Sequence, residues 1–378
     1  MTMFTTLQLP KTLIGLGALS RLGDELASLS MMRPLVVVDR GIVKAGLSAR
    51  LLAGLDTRFA PVLFDSVTEN NVFADADGGG ELYRREQCDG VIALGGGSVI
   101  DTAKCIAVLA ANDGSIADFA LNPDVVIPAA APIVAIPTTA GTGSEADIFA
   151  GIHPDSETRG VGLASPLIMP KLAILDAELT VSLPAPITAA TGIDALSHCI
   201  EGYLSKLDVP FAKMIALNGI SRGMQFIRRA VREGGDLEAR QEMLLAAYAG
   251  GVAMSMGTGP AHAIALTCSE QGFPHGILSG IGIVATLDVM GAHQPEAMKA
   301  LDDAMGVGPG ETAAQLFADL MRELGLPATL GELGYRVDDL DATVGLVHAH
   351  FCNSFARYHP SSDEYKAMMS HSLAARAA

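Results

Sequence analysis

Residues 90–98 read Gly90-Val91-Ile92-Ala93-Leu94-Gly95-Gly96-Gly97-Ser98, and this stretch decides the fold class. The apolar run predicts a buried strand, and the glycines after it predict a tight turn into a helix through Asp101 and Lys104. Glycines let a backbone approach a pyrophosphate, and the following helix N-terminus offers free N–H groups and a positive dipole end. A strand-to-helix turn without a ligand has the same pattern, so the glycine run alone leaves both interpretations open.

Three further apolar runs resemble the first, at residues 34–39, 132–137 and 172–176. Continuous apolar strands separated by helical stretches are typical of a parallel sheet covered on both faces. After about residue 183 Ala, Leu and Met dominate at helical periodicity, for example in residues 236–249 and 311–324. We therefore predict an α/β domain with a Rossmann-like parallel sheet over residues 1–182 and an all-α domain over residues 183–378.

The composition limits the classes of partner. About half of the 378 residues are hydrophobic, and the formal net charge is -17, which opposes binding to nucleic acid or to an anionic membrane surface. The two long uncharged stretches, residues 125–144 and 243–269, are interrupted by proline or glycine and predict no membrane span. Five scattered cysteines without a CxxC pair, and no signal-peptide pattern, lead us to expect a cytoplasmic protein.

Two features strengthen the nucleotide interpretation. Asp39 ends an earlier strand, where an acid can accept hydrogen bonds from ribose hydroxyls and repel a 2′-phosphate, which favours NAD over NADP. The alternative role for Asp39 is a helix N-cap or turn. Residues 138–145 read Thr138-Thr139-Ala140-Gly141-Thr142-Gly143-Ser144-Glu145 and place hydroxyls and glycines after a strand, although an ordinary polar loop is the alternative. Since the pattern is not GxGxxG, a standard Rossmann domain is not predicted.

A second group of residues suggests a metal site. Asp194 and His198 are four residues apart, so on a helix they share one face, one turn apart. Taken alone, this spacing more often reflects a hydrogen bond than a shared cation. His262 and His275 both lie in glycine-containing uncharged segments, where an imidazole needs a partner. One aspartate and three histidines would supply four ligands, suited equally to Fe(II) or Zn(II).

At this point the chain resembles the iron-dependent (group III) alcohol dehydrogenases over essentially its whole length. The resemblance rests on four segments in order: residues 95–98 with Asp101 and Lys104, residues 136–145, residues 190–198 with Glu201, and Pro274-His275-Gly276. It implies a dehydroquinate synthase-like fold, with a dinucleotide-binding N-terminal domain, a helical metal-binding domain and a cleft between them. It also implies an NAD(H)-linked oxidoreductase that interconverts a short primary alcohol, such as the ω-hydroxy acid 4-hydroxybutyrate, and its aldehyde, as a homodimer or larger homo-oligomer.

The resemblance also implies roles for individual residues. It assigns metal binding, and through the metal catalysis, to Asp194, His198, His262 and His275. It assigns cofactor binding to Asp39, Gly96, Gly97, Ser98, Asp101, Thr138, Thr139 and Thr142. Glu201 matches a family position as well, and we interpret it as a structural partner on the same helix.

The chain departs from the family pattern near the expected pocket. Leu266 stands where many members have a second histidine, and the segment between His262 and His275 is one residue shorter than usual. Residues 356–360 replace the usual Asn-Pro-Arg-like turn. We therefore expect the alcohol proton to leave through water, a ribose hydroxyl or another histidine such as His359.

A further departure concerns the cofactor. Gly160 stands where a cofactor-contacting lysine is common, and the neighbouring Arg159 could substitute for it. Two alternatives to the assigned function remain open at this level: a zinc-dependent polyol dehydrogenase of the glycerol type, and a catalytically inactive NAD-binding protein.

Overall fold

The computed structural model describes residues 8–122 and 125–374. Within this range the chain forms two compact units. One comprises residues 8–139 and 143–183, and the other comprises residues 140–142 and 184–374. The first is an α/β unit and the second is helical, which confirms the predicted fold class.

The α/β unit is built on a parallel sheet. Its strands are β1 (Lys11–Ile14), β2 (Leu35–Asp39), β3 (Val62–Val67), β4 (Val91–Gly95), β5 (Ile133–Pro137), β6 (Phe149–Ile152), β7 (Val161–Ala164) and β8 (Leu172–Leu175). Six of them form one sheet in the order β1-β8-β5-β4-β2-β3, and every neighbouring pair is parallel. All residues of β4, β5 and β8 are buried, as the continuous apolar runs indicate.

Four strands were not predicted. β1 and β3 are the two edge strands, and exposed positions alternate with less exposed ones along most of β3. Their apolar runs, Leu13-Ile14 and Val62-Leu63-Phe64, are shorter than those of the central strands. β6 and β7 form a separate antiparallel hairpin with four residues in each strand, which is too short to show a clear alternation of apolar and polar residues.

Helices cover the sheet and connect its strands. They are α1 (Leu22–Ser28), α2 (Arg40–Lys44), α3 (Leu47–Ala53), α4 (Phe73–Arg85), α5 (Gly97–Ala111) and α6 (Ile116–Ala120). Since β2, β4 and β5 are neighbours, the segments that follow their carboxyl ends meet at one edge of the sheet, where ligands of open α/β sheets bind.

The helical unit packs around a large apolar core. Its helices are α7 (Ala185–Leu204), α8 (Pro210–Arg232), α9 (Leu237–Met254), α10 (Pro260–Thr267), α11 (His275–Ala292), α12 (Pro295–Met305), α13 (Ala313–Glu323), α14 (Leu330–Leu333), α15 (Leu340–Ala349) and α16 (Ser362–Ala374). The two predicted helical segments correspond to α9 and α13, whose first turns are capped by Asp236 and Thr312.

Helix α11 is long and apolar enough to cross a membrane by length and composition. Half of its residues are buried inside the helical unit, and it packs against α7, α10 and α13. A core helix of a soluble protein has these properties.

Candidate metal and cofactor sites

Four potential ligands converge in the helical unit. Asp194 and His198 lie one turn apart on α7, His262 is the third residue of α10, and His275 is the first residue of α11. One ligand atom from each lies within 4.8 Å of all the others. The Nε2 atoms of His198 and His275 are 3.9 Å and 3.7 Å from Oδ1 of Asp194. The structure therefore brings together all four residues that the sequence singled out.

Several polar atoms of this cluster have no protein partner. Oδ1 of Asp194, Nδ1 of His198 and Nε2 of His262 are buried and have no hydrogen-bond partner within the described residues. Buried polar atoms in native proteins are normally paired, so unpartnered atoms in one cluster indicate that it binds a group from outside the chain. A carboxylate oxygen and imidazole nitrogens are donors that suit Fe(II) and Zn(II), so these residues fit a divalent cation.

Glu201 orients one of the histidines. Nδ1 of His262 donates to Oε2 of Glu201 over 2.5 Å, and the backbone N–H groups of Ala261 and His262 donate to the same carboxylate. This bond places the imidazole proton on Nδ1, so the lone pair of Nε2 is free for the cluster. Glu201 lies on α7 with Asp194 and His198, as predicted, and pairs with His262 of α10.

Burial, neighbouring charges and hydrogen bonds together set the pKa values of the cluster. Burial lowers the pKa of His198 to about 4, so its imidazole is neutral and able to bind a metal. Burial opposes ionisation of Asp194, but the charge interactions with His198 and His275 outweigh it and lower the pKa of that carboxyl. For His262, burial disfavours the charged form, and the hydrogen bond to Glu201 raises the pKa above its usual value.

Small residues let the ligand helices approach one another. A Cβ atom on Gly276 would lie 2.2 Å from the carbonyl oxygen of Ala190 and 3.1 Å from Cβ of Asp194. Only glycine permits this contact between α11 and α7, which sets His275 beside Asp194. The close packing of α11 against α7 therefore explains the glycine in the motif Pro274-His275-Gly276.

Sequence reasoning missed one polar residue of the cluster. Ser279 is fully buried on α11, and its Oγ lies 3.3 Å from Nε2 of His275. Its spacing of four residues from His275, within the domain predicted to be all-α, was a signal that could have identified it.

The predicted cofactor residues lie mostly at the edge of the sheet formed by β2, β4 and β5. Asp39 ends β2, and its Oδ1 accepts a hydrogen bond from the backbone N–H of Ile42, so it is the N-cap of α2. Gly96 and Gly97 begin α5, and a Cβ atom on Gly96 would lie 3.2 Å from Thr139. The hydroxyl of Ser98 donates to the carbonyl of Glu69 at 2.7 Å.

The loop after β5 lies against the glycine turn. The backbone N–H of Thr138 donates to the carbonyl of Gly95, and Thr138 is buried. Asp101 accepts hydrogen bonds from the Ser144 hydroxyl at 2.5 Å and from the Gly151 N–H at 2.9 Å, so its carboxylate ties this loop to β6. Thr142 differs from the other predicted cofactor residues because residues 140–142 group with the helical unit.

Lys104 belongs to the interior of the α/β unit. Its Nζ donates to Oδ1 of Asp147 at 2.6 Å and to the carbonyls of Asp147 and Phe149. Both members of this ion pair are buried. Lys104 therefore acts as an internal partner of the segment that leads into β6.

The residues that depart from the family pattern have separate surroundings. Leu266 is half-buried and packs against the helical core. A Cβ atom on Gly160 would lie 3.1 Å from the ring of His153, so a larger residue there would require that ring to move. His359 is exposed, stacks on His348 at 4.4 Å, and its Nε2 lies 3.1 Å from the His348 carbonyl oxygen.

Comparison with known proteins covers nearly the whole chain. Residues 10–177 match the family model of iron-containing alcohol dehydrogenase, and residues 188–373 match the C-terminal model of the Fe-containing alcohol dehydrogenase family. The 4-hydroxybutyrate dehydrogenase of Cupriavidus necator is 35% identical over 370 residues, which is 94% of this chain and 96% of that protein.

Solved structures resemble the fold closely. A 1,3-propanediol oxidoreductase superposes with a TM-score of 0.91 at 27% identity, covering 98% of this chain and 100% of that one. The sulfoacetaldehyde reductase of Bifidobacterium kashiwanohense, solved in complex with NAD+, superposes with a TM-score of 0.89 at 27% identity, covering 99% and 100%. These matches confirm the resemblance that the four sequence segments indicated.

Proposed function

Because this chain belongs to the iron-containing alcohol dehydrogenase family and is an oxidoreductase, we propose that it interconverts a short primary alcohol and its aldehyde. The family uses NAD(H) and iron, the cofactors predicted from the sequence. We further propose Asp194, His198, His262 and His275 as the ligands of the metal.

One observation carries the metal assignment: the four side chains converge while three of their buried polar atoms have no partner among the described residues. A hydrogen-bonded structural cluster would leave few such atoms, because an unpaired buried group costs about 1–3 kcal/mol. A bound cation would pair Oδ1 of Asp194 and Nε2 of His262, together with one ring nitrogen of His198.

Interconversion of an alcohol and its aldehyde needs the metal, the nicotinamide and residues that hold them in place. When bound, the metal supplies Lewis acidity toward the alcohol or carbonyl oxygen, and the nicotinamide exchanges the hydride. Asp194 contributes the negative charge of the ligand set, His198 contributes a neutral nitrogen donor, and His262 contributes Nε2 while its Nδ1 carries the proton donated to Glu201. Glu201 holds the His262 ring in one tautomer. The side chain of His275 is 41% exposed, whereas Asp194, His198 and His262 are buried. A substrate can therefore approach the cluster from the side of His275.

For the cofactor we propose binding at Asp39, Gly96, Gly97, Ser98, Asp101, Thr138, Thr139 and Thr142. In support, three neighbouring strands of the sheet end beside these residues, and the N-terminus of α5 lies among them. The N-cap bond of Asp39 uses Oδ1, and a carboxylate has capacity for further hydrogen bonds from a ribose. Asp101 would act mainly through the loop that it ties to β6.

For the substrate we propose a short ω-hydroxy acid such as 4-hydroxybutyrate. In support, the relative from Cupriavidus necator is a 4-hydroxybutyrate dehydrogenase, and the structural relative from Bifidobacterium kashiwanohense reduces sulfoacetaldehyde. Both compounds carry an anionic group at the end opposite the reacting carbon. The proposed cytoplasmic location and homo-oligomeric state remain predictions.

The test uses purified protein that has been stripped of metal and then given Fe(II) or Zn(II). NADH oxidation is followed with succinate semialdehyde and with butanal, which has the same chain length without the carboxylate. We expect metal-dependent turnover and at least about tenfold higher kcat/KM for the acid, equivalent to about 1.4 kcal/mol. Equal or better turnover of butanal would reject the acid substrate, and oxidation of glycerol alone would favour the polyol alternative.

Variants separate the metal assignment from the substrate assignment. His198→Ala should abolish metal-dependent turnover and lower the bound metal, because it removes one of four ligands. His371→Ala is the matched control, since His371 is an exposed histidine on α16. Normal metal content in the His198 variant would reject the ligand set. Tight NADH binding without turnover for any metal would favour the inactive NAD-binding protein.

A further inference from the structure

His153 directly follows β6, and main-chain hydrogen bonds fix its position in the α/β unit. Its N–H donates to the carbonyl of Asn71 at 2.9 Å, and its carbonyl accepts from the N–H of Phe73 at 2.8 Å. These partners belong to the segment that connects the carboxyl end of β3 to α4. His153 therefore lies at the edge of the sheet where the carboxyl ends of the parallel strands meet.

The side chain of His153 projects from the same face of the strand as position 151, because side chains alternate along an extended backbone. That face lies beside α5. The N–H of Gly151 donates to Oδ2 of Asp101 at 2.9 Å, and a Cβ atom on Gly151 would lie 3.5 Å from the same oxygen. The imidazole of His153 therefore projects on the side of the proposed cofactor residues near the N-terminus of α5.

One ring nitrogen of His153 has a partner in the chain. Nδ1 lies 3.0 Å from the carbonyl oxygen of Thr158, which can only accept a hydrogen bond, so Nδ1 carries the proton. Nε2 of the neutral ring is then an acceptor, and within the described residues it forms no hydrogen bond. Because the residue is only half-buried, a ligand can reach this nitrogen.

Gly160 leaves the Nε2 edge of the ring uncovered. A Cβ atom at position 160 would lie 3.1 Å from Cε1 and 3.2 Å from Nε2 of His153, closer than a side chain normally approaches. The backbone of Gly160 does not have the positive φ that would itself favour glycine. Space for the imidazole, rather than backbone conformation, therefore explains the glycine.

We infer that His153 binds the dinucleotide, with its Nε2 accepting a hydrogen bond from a ribose hydroxyl. The inference rests on the proposed function, because it requires the cofactor to lie beside Asp101 and the N-terminus of α5. A hydroxyl is the expected partner, since Nε2 of the neutral ring has a lone pair and no proton to offer a phosphate oxygen.

The experiment measures the dissociation constant of NADH for the full chain through the fluorescence of the bound nicotinamide, which no tryptophan obscures because the chain has none. Wild type is compared with His153→Asn, His153→Gln and His153→Lys. The asparagine amide can replace Nδ1 as the donor to Thr158, but it has no atom at the position of Nε2. The glutamine amide oxygen can replace Nε2 as an acceptor, whereas lysine offers only donors.

We expect His153→Asn to weaken NADH binding about 3- to 10-fold, and to raise KM for NADH without lowering kcat with succinate semialdehyde. His153→Gln should bind NADH within about twofold of wild type, and His153→Lys should bind it as weakly as His153→Asn. Melting temperatures of all these chains should be similar, because the bond to Thr158 is exposed and contributes little to stability.

Thr158→Val is the matched control. It removes a hydroxyl from the same loop, whose partner is Oδ1 of Asp155, and it keeps the carbonyl that the imidazole contacts. Its affinity for NADH should therefore stay within about twofold of wild type.

The outcomes separate the role of His153 from the proposed cofactor site. Unchanged NADH affinity in His153→Asn, or an equal loss in Thr158→Val, would overturn the role of His153 while the cofactor site stands. Weak binding by His153→Gln would overturn the assignment to a hydroxyl, and recovery in His153→Lys would identify a phosphate instead. Failure of wild type to bind NADH would overturn the proposed cofactor site and the role of His153 with it.

Discussion

Nδ1 of His262 and Oε2 of Glu201 are 2.5 Å apart, and both side chains are almost completely buried. The pair joins α10 to α7, and the same carboxylate accepts the first free backbone N–H groups of α10. Glu201 therefore fixes the start of a helix and the tautomer of a proposed ligand at once.

Glu201→Gln should weaken metal binding about 10- to 100-fold, because a neutral carboxamide orients His262 less strongly and makes its Nε2 a poorer donor. The measurement is the metal dissociation constant by chelator competition. Glu242→Gln is a suitable control, since it removes a glutamate of α9 whose partner is Arg222. Equal affinities for wild type and Glu201→Gln would show that this carboxylate has only a structural role.

Gly276→Ala should disturb the contact between α11 and α7. The added Cβ would lie 2.2 Å from the Ala190 carbonyl oxygen, and overpacking of this kind costs about 1–3 kcal/mol. We expect a lower free energy of unfolding and weaker metal binding, measured by denaturation and by chelator competition. Gly345→Ala on α15 is the control, because its added Cβ would lie within 4 Å of no atom of the described residues beyond its chain neighbours and its own helix backbone, and alanine there should stabilise the helix by about 0.5–1 kcal/mol. A Gly276 variant as stable as the Gly345 variant would contradict the packing argument.

Glu145 should make stability fall as the pH rises toward neutrality. Burial raises the pKa of this carboxyl from 4.5 to about 7, and its Oε1 has no hydrogen-bond partner within the described residues. Between these two values the folded chain binds more protons than the unfolded chain, so its stability decreases with pH. The favourable contribution is complete below about pH 4.5 and is lost above about pH 7.

Glu145→Gln removes this titration. Its free energy of unfolding, relative to wild type, should therefore increase by about 3 kcal/mol between pH 4.5 and pH 8, measured by urea denaturation at each pH. Glu81→Gln on α4 provides the comparison, because Glu81 is exposed and its variant should show no such slope. A flat difference for Glu145→Gln would mean that water or another group pairs the buried carboxyl.

Local sequence patterns were enough to predict the central strands, the glycine turn and half of the proposed metal ligands. The strands β2, β4, β5 and β8 could be predicted from their apolar runs, because parallel strands buried on both faces are apolar at nearly every position. The spacing of Asp194 and His198 places them on one face of α7 by helix geometry alone. The glycine turn before α5 follows from the same local information.

Tertiary structure decided what depends on contacts between distant segments. The edge strands β1 and β3 pair on one side only, so their half-exposed sequences lack a clear signal. Asp39 could cap a helix or bind a ribose by sequence, and the structure places its Oδ1 on the N–H of Ile42. Glu201 is predicted to be a structural partner on the helix of Asp194 and His198, and only the packing of α10 shows that it pairs with His262.

The sequence by itself determined which residues have the chemistry of a metal site, because residue type and helical spacing are local properties. It could not determine that His262 and His275 meet Asp194, since this depends on how α10 and α11 pack against α7. That packing follows from the shapes of small residues such as Gly276 at the helix contacts, and from the burial of the apolar core around them.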